Sequence, residues 1–477
     1  HKAIHSFPTR RSSDLAGWST TANTHQCFGI AAYNLALDCM ADDLIMQSQG
    51  NGWFWGDHCY NVKSNYTSSA FRSYDVWYAN YKWIANVNYI IDAEPEMAGT
   101  EADVAYVAGQ AYAIRALCYL NLATWFSRAP YNSLTGASRW NEPCVPVYTT
   151  GTSIDTGGQP RESLRTVYGR IDQDIDRAIE LLEKARETTL AENNKSHINL
   201  YVALGIKSRA CLAEGDWDGA FKAAKRVIDE GGYAVGTKSD LTGGMNSLDK
   251  QNVMWGAGIQ VADQAGGYAG FFTHMDNKEG AYAKSAPKLI SKQLYNRISA
   301  TDIRRDWWDP SDKESPYVSK KFSFANVASF LGDYIYMRVE EMYFTAAEAA
   351  LRLDDLKSAR ELMNTVMAER DPGYSANNRS GTLLGATTTT WTGSFLENIL
   401  THRRIELWGE YGRLFDVRRL GQGIDRRTDD GFSEECISMM NRRNVNITKA
   451  DTYDWVLTIP KAELDANPNI NEEDQNP

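Results

Sequence analysis

Apolar residues recur at helical spacing through most of the chain. From Trp217 they run Ala220, Phe221, Ala224, Val227 and Ile228, and from Leu356 they run Ala359, Leu362, Met363, Val366 and Met367, the i, i+3, i+4, i+7 pattern of one buried helix face. Each stretch follows another of the same kind. Leu200, Ala203, Leu204 and Cys211 precede the first; Tyr336, Val339, Tyr343, Ala346, Ala347 and Ala350 precede the second. Gly215-Asp216 and Asp354-Asp355 stand between the partners as short polar turns. Further helical patterns cover about Ser73 to Asp92, Glu101 to Phe126, ending before Ala129-Pro130, and Phe395 to Tyr411.

The two helical pairs match each other. ACLAEGDWDGAFKAAKRVI aligns with AALRLDDLKSARELMNTVM, so that Ala210 meets Ala349, Leu212 meets Leu351, Asp216 meets Asp355 and Ala220 meets Ala359. Small residues on facing helices let backbones approach, and a bulky neighbour fills the remaining gap. This is the logic of tetratricopeptide-type hairpins, where stacked pairs bury a shared core. Two copies so far apart cannot make a regular solenoid, so insertions must interrupt the array. The predicted fold is mainly α: tetratricopeptide-like hairpins in a right-handed scaffold with long irregular loops, in one large domain over 16–477. Helices are expected at about 73–126, 163–230 and 334–370, ligand-binding excursions at about 49–66, 235–330 and 371–395, and a closing segment at 395–477. Residues 1–15, HKAIHSFPTRRSSDL, have two basic clusters, no apolar centre and no small-residue cleavage site. They do not read as a signal peptide, resemble a translated sequencing-adaptor artefact, and stay outside the fold.

The loops change the picture, because they hold rings. Trp53, Phe54, Trp55 and Tyr60 fall within 49–66; Tyr268, Phe271, Phe272 and His274 within 256–282; Trp307 and Trp308 within 302–317. Loops longer than about 15 residues are usually functional or disordered, so not all of these rings belong to a core. Trp77, Tyr81, Tyr112, Tyr119, Tyr336 and Tyr343, at helical spacing, are assigned to it.

Charge and motifs then exclude. Lys and Arg number 50 against 61 Asp and Glu, a net charge of −11, which argues against a nucleic-acid partner. Seven cysteines form no CxxC pair and no Cys/His metal spacing and read as buried free thiols. HExxH, a phosphate-binding Gly loop, a GxSxG elbow and a dinucleotide fingerprint are all missing. The chain is read as no enzyme, with no cofactor and no metal. A glycoside hydrolase, which needs only two carboxylates, stands as the enzyme alternative, and a helical-repeat adaptor as the protein-binding one. Arg403, Arg404, Glu406, Arg413, Asp416, Arg418 and Arg419 read as an internal ion-pair network that neutralises itself, and Asp354-Asp355 as a turn.

Several segments, in order, resemble the SusD/RagB family: ADDL at 41–44; Trp77, Tyr81, Ile84, Asn86 and Asn88; GQAYAIRALCYLNLATWF; RVEEMYFTAAEAALRLDDLKSARELMN; THRRIELWGEYGRLFDVRRLG; and the closing LTIPKAELDANPNINEEDQNP. The resemblance covers about Ala16 to Pro477. It implies a lipoprotein on the extracellular face of the outer membrane of Bacteroidetes-type bacteria. Such a protein binds an oligosaccharide or polysaccharide, less often a peptide or other nutrient, and sits as a lid on a SusC-type TonB-dependent transporter. The expected N-terminal lipid-bearing Cys is not visible here, and Cys27 lacks an apolar lead-in, so membrane attachment rests on the resemblance.

A sugar offers a CH-rich face and hydroxyl edges, so its site needs flat rings and polar side chains. The candidate plates are Trp53, Trp55, Tyr268, Phe272 and Trp308, with Trp53 and Trp55 on one side if the segment is extended. Asp57, Asn65 and Arg72 are the candidate hydroxyl readers. Covering about 80 Å² of sugar gives about 2 kcal/mol per plate, so two plates imply a dissociation constant on the order of 0.1–1 mM.

Overall fold

A computed structural model describes residues 24–60, 71–153, 155–188, 190, 194–260, 269–380, 393–428 and 431–477. Its main helices are α1 Ile30–Met40, the short α2 Trp55–His58, α3 Phe71–Ala93, α4 Glu101–Phe126, α5 Leu164–Lys184, α6 Leu200–Glu214, α7 Trp217–Glu230, α8 Val339–Arg352, α9 Leu356–Ala368, α10 Phe395–Glu406 and α11 Arg413–Arg419. From α3 to α9 each helix packs on the next, and α10 lies against α8.

Local chemistry sets the starts. Thr100, Ser163, Asn199, Asp216, Asp355 and Ser394 each accept a backbone N–H from the first turn of the helix they precede, satisfying a donor the helix itself leaves open. The two aligned hairpins share their turn. Gly215 has φ 77° and Asp354, its counterpart, has φ 62°, the left-handed region that Gly and Asp tolerate best. Only Gly fits at 215, because a Cβ there would lie 2.4 Å from the Tyr131 ring.

The hairpins stack although residues 231–338 intervene. α7 packs on α8, where Cys211, Leu212, Ala220 and Ala349 form a buried cluster against Trp217 and Phe221. The small residues allow the approach, and the Arg352 guanidinium covers Trp217 at 4.3 Å from its centroid. Replacing Asp355 with Ala is expected to cost about 1 kcal/mol, read by urea denaturation at neutral pH. Hydrogen bonds from the Ser358 side chain and backbone hold the Asp355 carboxyl below its ordinary 3.8. Its contribution is therefore present above that value and lost as pH falls through the folded one, so wild type and variant should converge in acid.

Residues 231–338 return to the array by pairing. β2 (Val253–Ala257) runs antiparallel to β6 (Tyr334–Arg338), which leads into α8. Tyr336 therefore lies on a strand, not on the helix its spacing predicts; it is still 3% exposed. A small sheet of order β1-β3-β5-β4, formed by Leu44–Met46, Lys288–Ile290, Val318–Ser319 and Trp308–Asp309, ties the N-terminal segment to this excursion. Tyr81, Tyr112 and Tyr343 are half-buried against the core, whereas Trp77 and Tyr119 are fully inside. All seven cysteines are buried.

The charged cluster is an internal ion-pair network. Arg403 and Arg419 grip Asp416 at 2.7 Å each, Arg419 also reaches Glu348 at 2.8 Å, and Arg418 reaches Asp451 at 3.6 Å. Arg404 and Arg413 reach back to Asp42 and Asp43 of the ADDL segment at 2.5–3.3 Å. The closing Gln-Asn-Pro has a comparable task. Gln475 exchanges two hydrogen bonds with the Ile459 backbone, and Asn476 donates to the carbonyls of Phe126, at the end of α4, and of Leu457. Segments distant in sequence are thus locked to one body.

Candidate functional site

Two segments meet to expose rings. In the first, Gly50 (φ +50°) passes so close to the Ser285 carbonyl that a Cβ would lie 2.5 Å from it. Only Gly lets residues 49–53 lie on the short helix Ala281–Ser285. Ser285 Oγ then donates to Asn51 Oδ1 at 2.7 Å. This approach sets Trp53 beside Tyr282, with centroids 6.0 Å apart. His25 stacks on Trp53 at 4.5 Å and 7°, and its Nδ1 bonds the Tyr282 hydroxyl at 2.5 Å.

All three rings are half-buried: one side is fixed and part of each remains open. Behind Tyr282, at 5.0 Å, lies His274, whose Nε2 bonds the His25 carbonyl at 2.6 Å. Burial, then the nearby Lys288 charge, push His274 well below its ordinary pKa, so the ring behind the cluster is uncharged at neutral pH. The exposed Gln49, Asn51 and Lys284 are the polar neighbours in these two segments. A rigid aromatic platform with amide edges suits an uncharged, amphipathic ligand. Among the described residues no group of three or more His, Cys, Asp or Glu side chains is placed to hold a metal ion.

The eight sequence candidates fare unequally. Trp53 belongs to the platform; Asn65 and Tyr268 lie outside the described residues. The other five, Trp55, Asp57, Arg72, Phe272 and Trp308, are withdrawn from solvent and do not join the exposed platform. Phe54 takes φ 62° and Trp55 opens α2, so the segment is not extended; Trp55 turns inward, 3% exposed. Asp57 and Arg72 bind each other at 2.8 and 3.0 Å, both 0–1% exposed, fastening this loop to α3. Burial, not a full set of partners, keeps both from a hydroxyl in solvent. Phe272 is wedged among Phe271, Phe324 and Tyr334, with Gly332 pressed on its ring. Trp308 meets Trp307 and Trp408 edge-to-face and is 1% exposed.

Two platform members escaped sequence reasoning. His25 follows the discounted N-terminal stretch, and Tyr282 is the last residue of a Gly-rich loop in which other rings drew notice. Their signal is spatial: nothing in the order of residues places 25, 53 and 282 together.

The chain is similar to known proteins over its full length. The family model described as "SusD family" matches residues 281–477, and the one described as "Starch-binding associating with outer membrane" matches 28–212. No curated protein sequence matches. Among solved structures, a SusD-like carbohydrate binding protein from Bacteroides vulgatus is 24% identical, covers 99% of this chain and 97% of its own, and superposes with a TM-score of 0.77. A SusD superfamily protein from Bacteroides thetaiotaomicron gives 22%, 100%, 98% and 0.77. Surface glycan-binding protein A from Bacteroides thetaiotaomicron, solved with laminarihexaose, gives 16%, 100%, 99% and 0.67. These likenesses establish the fold.

Proposed function

The chain belongs to the SusD family, and we propose that it is a surface glycan-binding protein that captures oligosaccharide or polysaccharide and delivers it to a SusC-type TonB-dependent transporter. It acts at the extracellular face of the outer membrane, held by an N-terminal lipid. It binds without cutting. The observation that carries the reading is the platform of Trp53, His25 and Tyr282, rings fixed in advance and still open to solvent. Pre-positioned rings cost little entropy on binding, yet one platform gives only weak capture. Weak capture of a long polymer suits a protein that must release its cargo into a pore. Two neighbours in fold point the same way: one is named a carbohydrate binding protein, the other was solved with a glucan hexasaccharide. One family description associates its members with the outer membrane.

The test is affinity electrophoresis through gels holding laminarin, starch, xylan, mannan or pectin. At least one polymer should retard the protein, and incubation with it should release no new reducing ends. Retardation by none of them, with saturable binding of a peptide mixture instead, would move the cargo to peptides. New reducing ends would overturn the binding-only reading.

A further inference from the structure

α3 carries a second ring-lined hollow, apart from the Trp53 platform. It is a cleft of about 470 Å³ between α3, the segment around Tyr148 and the C-terminal Glu463, within the range of about 300–1,000 Å³ usual for small-ligand sites. Tyr81 and Tyr148 stand at a right angle, centroids 5.8 Å apart, and make an inner corner. Tyr78 forms an outer wall, 42% exposed and stacked on Tyr74 at 5.6 Å and 17°.

The cleft is held open by bonds that no ligand need make. Tyr81 donates to the Pro146 carbonyl at 2.7 Å. The Tyr148 backbone is fixed by Tyr119, which bonds both its N–H and its carbonyl, and by Asn88. Tyr89 holds the Thr152 carbonyl and Asp92 the Gly151 N–H. The Glu463 carboxylate accepts from Trp77 Nε1 at 3.1 Å and from Asn467 at 2.8 Å, which leaves further lone pairs for a hydroxyl.

Charge narrows the occupant. Lys82 stands at the rim, its ammonium 6.0 Å from the Tyr78 centroid, and opposes a cationic guest. Glu463 opposes an anionic one. Phenol faces with the Thr152, Ser153 and Thr156 hydroxyls fit a molecule with apolar faces and hydroxyl edges. We infer that this cleft is a second carbohydrate subsite, which takes one or two neutral pyranose units of the captured glycan through Tyr78, Tyr81, Tyr148 and Glu463.

The inference rests on the glycan-binding reading and adds a place to it. α3 links the two sites. Its residue Arg72 is near the first, with its guanidinium 5.3 Å from the centroid of Phe54, the sequence neighbour of Trp53. Tyr78 and Ala85 follow six and thirteen residues later, about 9–20 Å along the helix at ~1.5 Å per residue. Two weak sites bridged by one polymer bind it more tightly than either alone, while each still releases quickly.

The test separates the two ideas. Protein labelled with meta-fluorotyrosine is titrated by fluorine NMR with maltose, cellobiose, laminaribiose, xylobiose and mannobiose, the Tyr78 resonance being assigned by its loss in Tyr78→Phe. Saturable movement of that resonance with at least one disaccharide is expected. It should persist in Trp53→Ala and be about tenfold weaker in Glu463→Gln, which loses a charge-assisted hydrogen bond. No saturable movement with any disaccharide overturns the second subsite. If polymer retention still depends on Trp53, the glycan reading survives that loss; if it does not, both fall. Movement that vanishes in Trp53→Ala also overturns the inference, because the cleft would then not bind on its own.

Discussion

Glu406→Ala is expected to lower the stability of the fold by about 3–5 kcal/mol, the usual cost of stripping one partner from a buried ionic group. Glu406 ends α10 and is the hub of the molecule. One of its carboxylate oxygens bonds Arg304 and Arg370, the other Arg338 and Arg370, at 2.9–3.0 Å. Around it Asp302, Glu340 and Glu410 pair with the same arginines, and Lys321 pairs with Glu410. Four cationic and four anionic side chains, from residues 302 to 410, cancel inside the body. Removing one carboxylate leaves a net charge where water cannot screen it. Glu406→Gln keeps the shape and should cost nearly as much, because what is lost is charge and not volume. Burial by itself would raise this carboxyl, but the guanidiniums of Arg370, Arg338 and Arg304 outweigh it and hold the group well below the ordinary carboxylate range. The stabilisation is therefore complete above the unfolded value of 4.5 and is lost as pH falls below it. Denaturant midpoints at falling pH should drop in the wild type and change less in Glu406→Gln. A Gln variant as stable as wild type would show that charge balance is not what holds these segments together.

This network also marks what could be read from residue order. The self-neutralising cluster at 403–419 was legible because its members lie on one helix and the following turn. Its partners Asp42, Asp43, Glu348 and Asp451 are far away in the chain, and no spacing rule points to them. Helices were legible for the same reason. The pattern from Glu101 to Phe126 coincides with α4, and the matched hairpins fall on α6–α7 and α8–α9, because helix formation depends on neighbours within a few residues. Tyr336 was misplaced where the decision is non-local: its strand exists through pairing with Val253–Ala257. The binding rings were the least legible. Whether a loop tryptophan faces water depends on backbone turns such as Phe54 at φ 62° and on what packs over it. Trp55 and Trp308 met other aromatic side chains there. Loop origin told where rings were in surplus, and only packing told which were left over.

Trp53→Ala is the functional counterpart of the Glu406 experiment, with the opposite signature. The expected result is a loss of about 30-fold in apparent affinity for the retarding polymer, corresponding to about 2 kcal/mol for some 80 Å² of sugar face returned to water. Far-UV circular dichroism should not change, because the ring is half-buried at the edge of the body and its partners, His25 and Tyr282, still bond each other. Trp53→Phe should recover part of the affinity, since a smaller ring keeps some of the stacking area. Trp55→Ala provides the contrast. That ring is 3% exposed, so its removal should cost about 3–5 kcal/mol of stability and weaken retention only as far as the fold loosens. One residue, Phe54, separates the two indoles, and they separate binding from folding because the chain turns between them. If Trp55→Ala weakened retention without loss of stability while Trp53→Ala left it intact, the platform would have been placed on the wrong side of that turn.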